Sequence, residues 1–180
     1  MRPKAALSIT ILVTLFIAIA CKENTTAPAA NTAETNQPTA GRTPGPLPDR
    51  GFSALLALKD APTKLRTGQK ETVVVRVKNA SDVFWWARGA ESNFSDSNKF
   101  YIAVGDRWLQ EDGKLLTEMD GRIGLPKDLR PGEEVEVPLA ISAPTTPGNY
   151  ILEVDLVQEQ VSWFHDKGSP TARTNVTVVR

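Results

Sequence analysis

Apolar and polar residues alternate with a period of two again and again through residues 51–180 of this 180-residue chain, and no stretch there sustains a helical period. Successive side chains of an extended backbone leave on opposite sides, so each such run reads as a half-buried β-strand. Glu71 to Lys78 places Val73, Val75 and Val77 on one face and Val74, Arg76 and Lys78 on the other. Glu134 to Ser142 sets Val135, Val137, Leu139 and Ile141 against Glu134, Glu136 and Pro138. Tyr150 to Gln158 sets Tyr150, Leu152, Val154 and Leu156 against Ile151, Glu153, Asp155 and Val157, and Asn175 to Val179 closes the chain the same way. A strand with one apolar face needs a second layer to cover it, so the pattern predicts a two-layer, all-β domain. The single cysteine, Cys21, cannot close an internal disulfide, and the layers must rest on their apolar core.

Turn chemistry separates the runs. Glu111-Asp112-Gly113-Lys114 carries an Asp-Gly pair suited to a tight hairpin between Trp108-Leu109 and Leu115-Leu116. Arg130-Pro131-Gly132-Glu133 and Thr146-Pro147-Gly148-Asn149 have Pro second and Gly third, as a type II turn requires. Asp166-Lys167-Gly168 precedes the last strand. Strands are expected at 53–59, 71–79, 83–87, 100–105, 107–110, 114–118, 133–142, 149–159 and 172–179. This spacing predicts an antiparallel immunoglobulin-like β-sandwich of about seven to nine strands. Tyr150, opening the penultimate strand, is expected to form a tyrosine corner, and Trp85 or Trp86 to be the core tryptophan of the third strand.

The chain begins differently. Arg2 and Lys4 precede an apolar run from Ala5 to Ala20, too short for a helix that crosses a bilayer and ending in small residues. Residues 1–20 therefore read as a secretory signal. Ala18-Ile19-Ala20-Cys21 resembles a bacterial lipobox, which implies acylation of Cys21 and attachment to a membrane through its acyl chains. Several chains, each adding about 0.8 kcal/mol per buried methylene, anchor stably. Lys22 stands where some lipoproteins carry a retention Asp, so the outer membrane is expected in a two-membrane envelope. Residues 21–50 form the lipidated Cys and a tether rich in Ala, Thr and Pro, with Leu47 its only large aliphatic residue, and 51–180 form the domain. A stretch of that composition cannot bury enough surface to offset its ordering entropy.

Candidate contact residues gather near one end of the expected sandwich. Trp85 and Trp86 are adjacent on an expected strand, so they face opposite ways. The loop after the penultimate strand opens with Ser162-Trp163-Phe164-His165-Asp166, at the same end as the loop before the third strand. Trp163 and Phe164 can stand near the outward tryptophan, with Asp155, Glu159 and His165 close by, forming an aromatic edge flanked by acids. Flat rings stack on sugar C–H faces while carboxylates and amides take hydroxyls, so a glycan is the expected ligand and an envelope protein the alternative. The two rings can instead fold back and plug the end of the sandwich.

Leu125-Pro126-Lys127-Asp128-Leu129-Arg130-Pro131-Gly132, the stretch Ala143-Pro144 through Pro147-Gly148-Asn149-Tyr150, and Leu152 through Asp155-Leu156-Val157-Gln158-Glu159-Gln160-Val161-Ser162-Trp163-Phe164 to Gly168 resemble the β-sandwich module appended to some bacterial glycosyltransferases and methyltransferases. Val75-Arg76-Val77-Lys78-Asn79 and Trp108-Leu109 with Asp112-Gly113 fit the same pattern, so the resemblance covers most of residues 70–179. A more distant similarity is to the four-tryptophan immunoglobulin-like domain of autophagy receptors. The resemblance implies the fold, and a place beside cell-surface polysaccharide chemistry without a shared catalytic residue.

No enzyme is expected. His165 is the only histidine, and adjacent Asp166 points elsewhere if the segment is extended; Asp155 and Glu159 lie about 13 Å apart along a strand, beyond the roughly 5–9.5 Å of glycosidase pairs. Neither a metal nor another cofactor is expected: one histidine and no free cysteine leave a transition metal without ligands, and the oxygen-rich loop Glu91, Asn93, Asp96, Asn98 lacks calcium-loop spacing. Nucleic acid is excluded by charge, since residues 51–180 carry 16 Lys and Arg against 18 Asp and Glu.

Overall fold

The computed structural model describes residues 43–90 and 96–180. The signal segment, Cys21 and the tether up to residue 42 lie outside the described residues, as do Glu91 and Asn93. Among the described residues nine strands form two sheets: β1 (Ala54–Lys59), β2 (Lys64–Arg66), β3 (Lys70–Asn79), β4 (Ile102–Gln110), β5 (Leu115–Gly124), β6 (Glu134–Ser142), β7 (Gly148–Gln158), β8 (Ser162–Trp163) and β9 (Ala172–Val179). One sheet has the order β1-β3-β6; the other runs β2-β9-β7-β4-β5, with β8 also paired to β7. All pairings are antiparallel except β2 with β9. β1, β3 and β6 take places A, B and E of an immunoglobulin sandwich, and β4, β7 and β9 take places C, F and G. The protein is an all-β, immunoglobulin-like sandwich.

The core follows the alternation. Val73, Val75 and Val77 of β3 and Val137, Leu139 and Ile141 of β6 meet Ile102, Val104 and Trp108 of β4, Leu152, Val154 and Leu156 of β7, and Val176 and Val178 of β9. The Asp-Gly hairpin joins β4 to β5, with Gly113 at φ 82° and Gln110 N–H donating to Lys114 O at 2.8 Å. Gly132 at φ 83° makes the turn before β6, closed by Glu133 N–H to Arg130 O at 3.0 Å. Gly148 departs from expectation. It has no positive φ and opens β7, where a Cβ would stand 3.2 Å from the Tyr150 ring, so a close approach and not a type II turn requires glycine there.

Three strand expectations are corrected. Residues 83–87 form no strand; Trp85 makes one isolated bridge to Leu129. The runs 100–105 and 107–110 are one strand, β4, whose pairing with β5 shifts between Gly105 and Arg107. Its tryptophan, Trp108, is therefore the core residue of the third strand, edge-on to Tyr150 at 6.4 Å between centroids. Trp85 is nonetheless buried, and its Nε1 donates to Gly51 O at 2.9 Å. β2 and β8 span three and two residues, too short to alternate visibly.

The tyrosine corner forms as expected: Tyr150 Oη donates to Thr146 O at 2.9 Å. Tyr150→Phe removes that bond while keeping the ring, and is expected to lower stability by about 1 kcal/mol. Urea unfolding of the two proteins, with equal m-values, measures the difference; identical midpoints would deny the bond a stabilising role.

Candidate functional site

Since Leu152, Val154 and Leu156 face the core, Glu153, Asp155 and Val157 point out of the opposite face of the second sheet. They are buried all the same. Opposite them on β4 lie Arg107, Gly105 and Ala103 in turn, and Arg173 of β9 is the other neighbour of Glu153. Glu153 accepts from Arg107 Nε, from Thr171 Oγ1 at 2.7 Å and from Arg173 Nε at 2.6 Å. Burial pushes the Glu153 carboxyl up, but the bonds from Arg107, Thr171 and Arg173 outweigh it and hold it below the usual range.

The segment after β7 folds back as β8, pairing Trp163 with Val157, then turns through a short 3₁₀ stretch, His165–Lys167, ended by Gly168 at φ 85°. His165 comes to lie over Asp155: its backbone N–H donates to Asp155 Oδ2 at 3.1 Å, and its Nδ1 stands 2.6 Å from the same oxygen. Burial raises Asp155, and the His165 bonds oppose it. Because the chain turns instead of running extended, Asp166 does not point away: its Oδ1 is 3.2 Å from His165 Nε2, which also faces Arg107 Nη1 at 3.3 Å. Glu159 pairs with Arg122 at 2.9 Å; burial raises its carboxyl and Arg122 opposes the shift.

Trp163 and Phe164 point to opposite faces and meet different fates. Phe164 is fully buried, edge-on to Phe52 at 5.0 Å and to Trp85 at 5.1 Å. It plugs the sandwich end. Trp163 remains half-exposed on the outer face, where its ring fills the space above Gly105 and Arg122 approaches to 5.3 Å from the centroid. Trp86 is half-buried against Phe84 at 4.8 Å, and no ring contact among the described residues joins it to Trp163. A continuous aromatic edge of Trp85, Trp86, Trp163 and Phe164 is thus not formed, because Trp85 and Phe164 are used in the core. What remains is a groove of about 350 Å³ beside Trp163, walled by Arg122, Val157, Gln160, Ser162 and Asp166.

Glu153 is not among the residues expected from the sequence to form the site, although alternation on β7 sets it on the same face as Asp155. Arg107, Arg122 and Gly105 carry no local signal: they join the site through strand register. The described residues hold no group of three His, Cys, Asp or Glu that could bind a metal ion.

Among solved structures the chain is similar to the CARDB domain of a Pyrococcus furiosus protein, at 18% identity over 71% of this chain and 94% of that one, with a TM-score of 0.41. A conjugative transposon lipoprotein from Bacteroides eggerthii is similar over 72% of this chain and 99% of that one, at 9% identity and a TM-score of 0.33. A β-glucosidase from Listeria innocua in complex with glucose matches at 16% identity and a TM-score of 0.39; 71% of this chain covers 16% of the enzyme. These likenesses concern the fold alone. No family model matches the chain, and no curated protein does.

Proposed function

We propose that the protein is a lipid-anchored, non-catalytic binding module of the bacterial envelope, held by acyl chains on Cys21 and taking a polysaccharide segment in the groove beside Trp163. One observation carries this reading: Trp163 is a large ring left half-exposed on a surface where Asp166, Gln160 and Ser162 supply a carboxylate, an amide and a hydroxyl within the same groove. Stacking takes the flat face of a sugar, and the polar wall takes its hydroxyls. His165 supports a positioning role in the binding surface, since its two nitrogens are engaged by Asp155, Asp166 and Arg107. Trp163→Ala is expected to weaken retention on immobilised envelope polysaccharide about tenfold, a loss of about 1.4 kcal/mol, while Trp86→Ala leaves it unchanged. Retention insensitive to Trp163→Ala overturns the glycan reading.

A protein partner is the second reading. Leu115 and Leu116 are 46% and 41% exposed at the start of β5, which ends the strand order of its sheet. At this end of β5, away from Gly121 where the strand lies against β6, an edge beside apolar side chains can accept a further strand. Leu116→Lys would abolish capture of such a partner and leave polysaccharide retention intact.

A further inference from the structure

His165 is the only histidine in the chain, and each of its ring nitrogens meets charged groups. Asp155 Oδ2 accepts from the His165 backbone N–H at 3.1 Å and lies 2.6 Å from Nδ1, so a proton on Nδ1 serves the bond that holds the ring in place. Nε2 is contested. Arg107 Nη1 stands 3.3 Å from it and Asp166 Oδ1 3.2 Å. A guanidinium only donates and an ionised carboxylate only accepts, so one nitrogen cannot satisfy both. A neutral ring takes Arg107 and turns the same lone pair against Asp166. A protonated ring donates to Asp166 and sets its charge against Arg107. Arg107 cannot follow the proton, because its Nε is fixed on the fully buried Glu153. Asp166 can: its side chain is 54% exposed, and it forms one wall of the groove beside Trp163. The imidazole itself stands 6.3 Å from the Trp163 ring, centroid to centroid. The other charges packed around it are committed elsewhere: Glu153 on β7 to Arg107 and Arg173, Arg122 on β5 to Glu159, and Lys167 to Asp49 at 2.9 Å.

We propose that His165 is the positioning residue of this groove, and that its proton sets whether Asp166 is offered to a ligand. This regulation rests on the reading of the groove as a polysaccharide site. With Nε2 bare, nothing on the ring holds Asp166, and its carboxylate takes a sugar hydroxyl beside the stacking face of Trp163. With Nε2 protonated, the same carboxylate is drawn across the imidazole and withdrawn from the groove. Histidine changes charge between about pH 5 and 8, so retention is strongest at the upper end of that range and falls towards the lower. The coupling is reciprocal: a bound sugar that occupies Asp166 favours the neutral ring.

A single histidine gives a single imidazole, so long-range proton–nitrogen correlation spectra of the full chain read its tautomer and charge without overlap. At about pH 8 the proton is expected on Nδ1, with Nε2 bare. Asp166→Asn takes away the carboxylate that a protonated Nε2 needs, and is expected to move the midpoint of the imidazole titration down by about 0.5 pH unit. An unmoved midpoint overturns the positioning. Retention of the wild type on immobilised envelope polysaccharide is expected to fall about threefold from pH 8 to pH 5, the same coupling read from the other side. In His165→Asn the amide nitrogen stands where Nδ1 does and keeps the bond to Asp155, while Nε2 is gone, so retention is expected to be equal at both pH values. A fall that persists in that variant belongs to another group and overturns the control of the groove by this proton, as does equal retention in the wild type. Absence of retention at both pH values, in a chain whose midpoint moves as expected, overturns the polysaccharide reading instead and leaves Asp166 under the control of His165.

Discussion

Gly121→Ala is expected to cost on the order of 4 kcal/mol or more, lowering the melting temperature by roughly 10–20 °C. A Cβ there would stand 1.8 Å from Ala140 O and 2.7 Å from Asp106 Oδ1. The first obstacle is backbone, in a strand hydrogen bonded along its length to β3, so it cannot step aside as a side chain would. β5 would have to retreat by more than an ångström from β6, and this is where the second sheet closes against the first. Gly105 makes the contrast: the atom its Cβ would meet, at 2.9 Å, is the far edge of the Trp163 ring, which can move. Thermal unfolding of Gly121→Ala beside wild type checks the prediction, and a shift of only a few degrees would show that the two sheets are not locked together there.

How far the sequence reached depended on whether the information was local. β3, β6, β7 and β9 were legible because each shows one apolar face over several residues, and the Gly113 and Gly132 turns because their chemistry is complete within four residues. Residues 83–87 misled for a physical reason: Val83, Phe84, Trp85 and Trp86 have the composition of a strand, yet their backbone bonds go to two different places, Trp85 to Leu129 and Trp86 O to Ile102 N–H, and build no ladder. The fate of Trp163 and Phe164 was half legible. Period two says that they diverge, but which one meets the core depends on β8 pairing Trp163 with Val157, and a two-residue strand has no pattern to read. The Glu153 network was hidden similarly, since Arg107 and Arg173 lie 46 and 20 positions away along the chain. Composition assigns Leu47 to the tether, yet it is half-buried against the core and its N–H donates to Gln158, 111 positions distant.

Asp106→Asn is expected to stabilise the protein by about 2–4 kcal/mol at pH 8 and by close to nothing at pH 3. Alternation along β4 sends Asp106 inward between Val104 and Trp108, a core position occupied by an acid. Gly121 N–H donates to its Oδ1 at 2.6 Å, while its Oδ2 is buried with no hydrogen-bond partner among the described residues. Burial drives the carboxyl up from 3.8 to about 7; the Gly121 bond opposes the shift and nearby Asp120 adds to it. The folded state therefore holds this proton in a range where the unfolded chain has lost it. Stability from this group is fully present below about pH 4, declines as pH rises towards 7, and is lost above it, where three units of displacement amount to about 4 kcal/mol. An amide of the same shape never ionises and still accepts from Gly121, so it avoids that loss but gains nothing where the acid is already neutral. Urea midpoints of both proteins at the two pH values isolate this group, because the other carboxylates titrate alike in each. A gain equal at both values would mean that Asp106 ionises at an ordinary pH, and that the inner face of β4 admits more water than its neighbours Val104 and Trp108 allow.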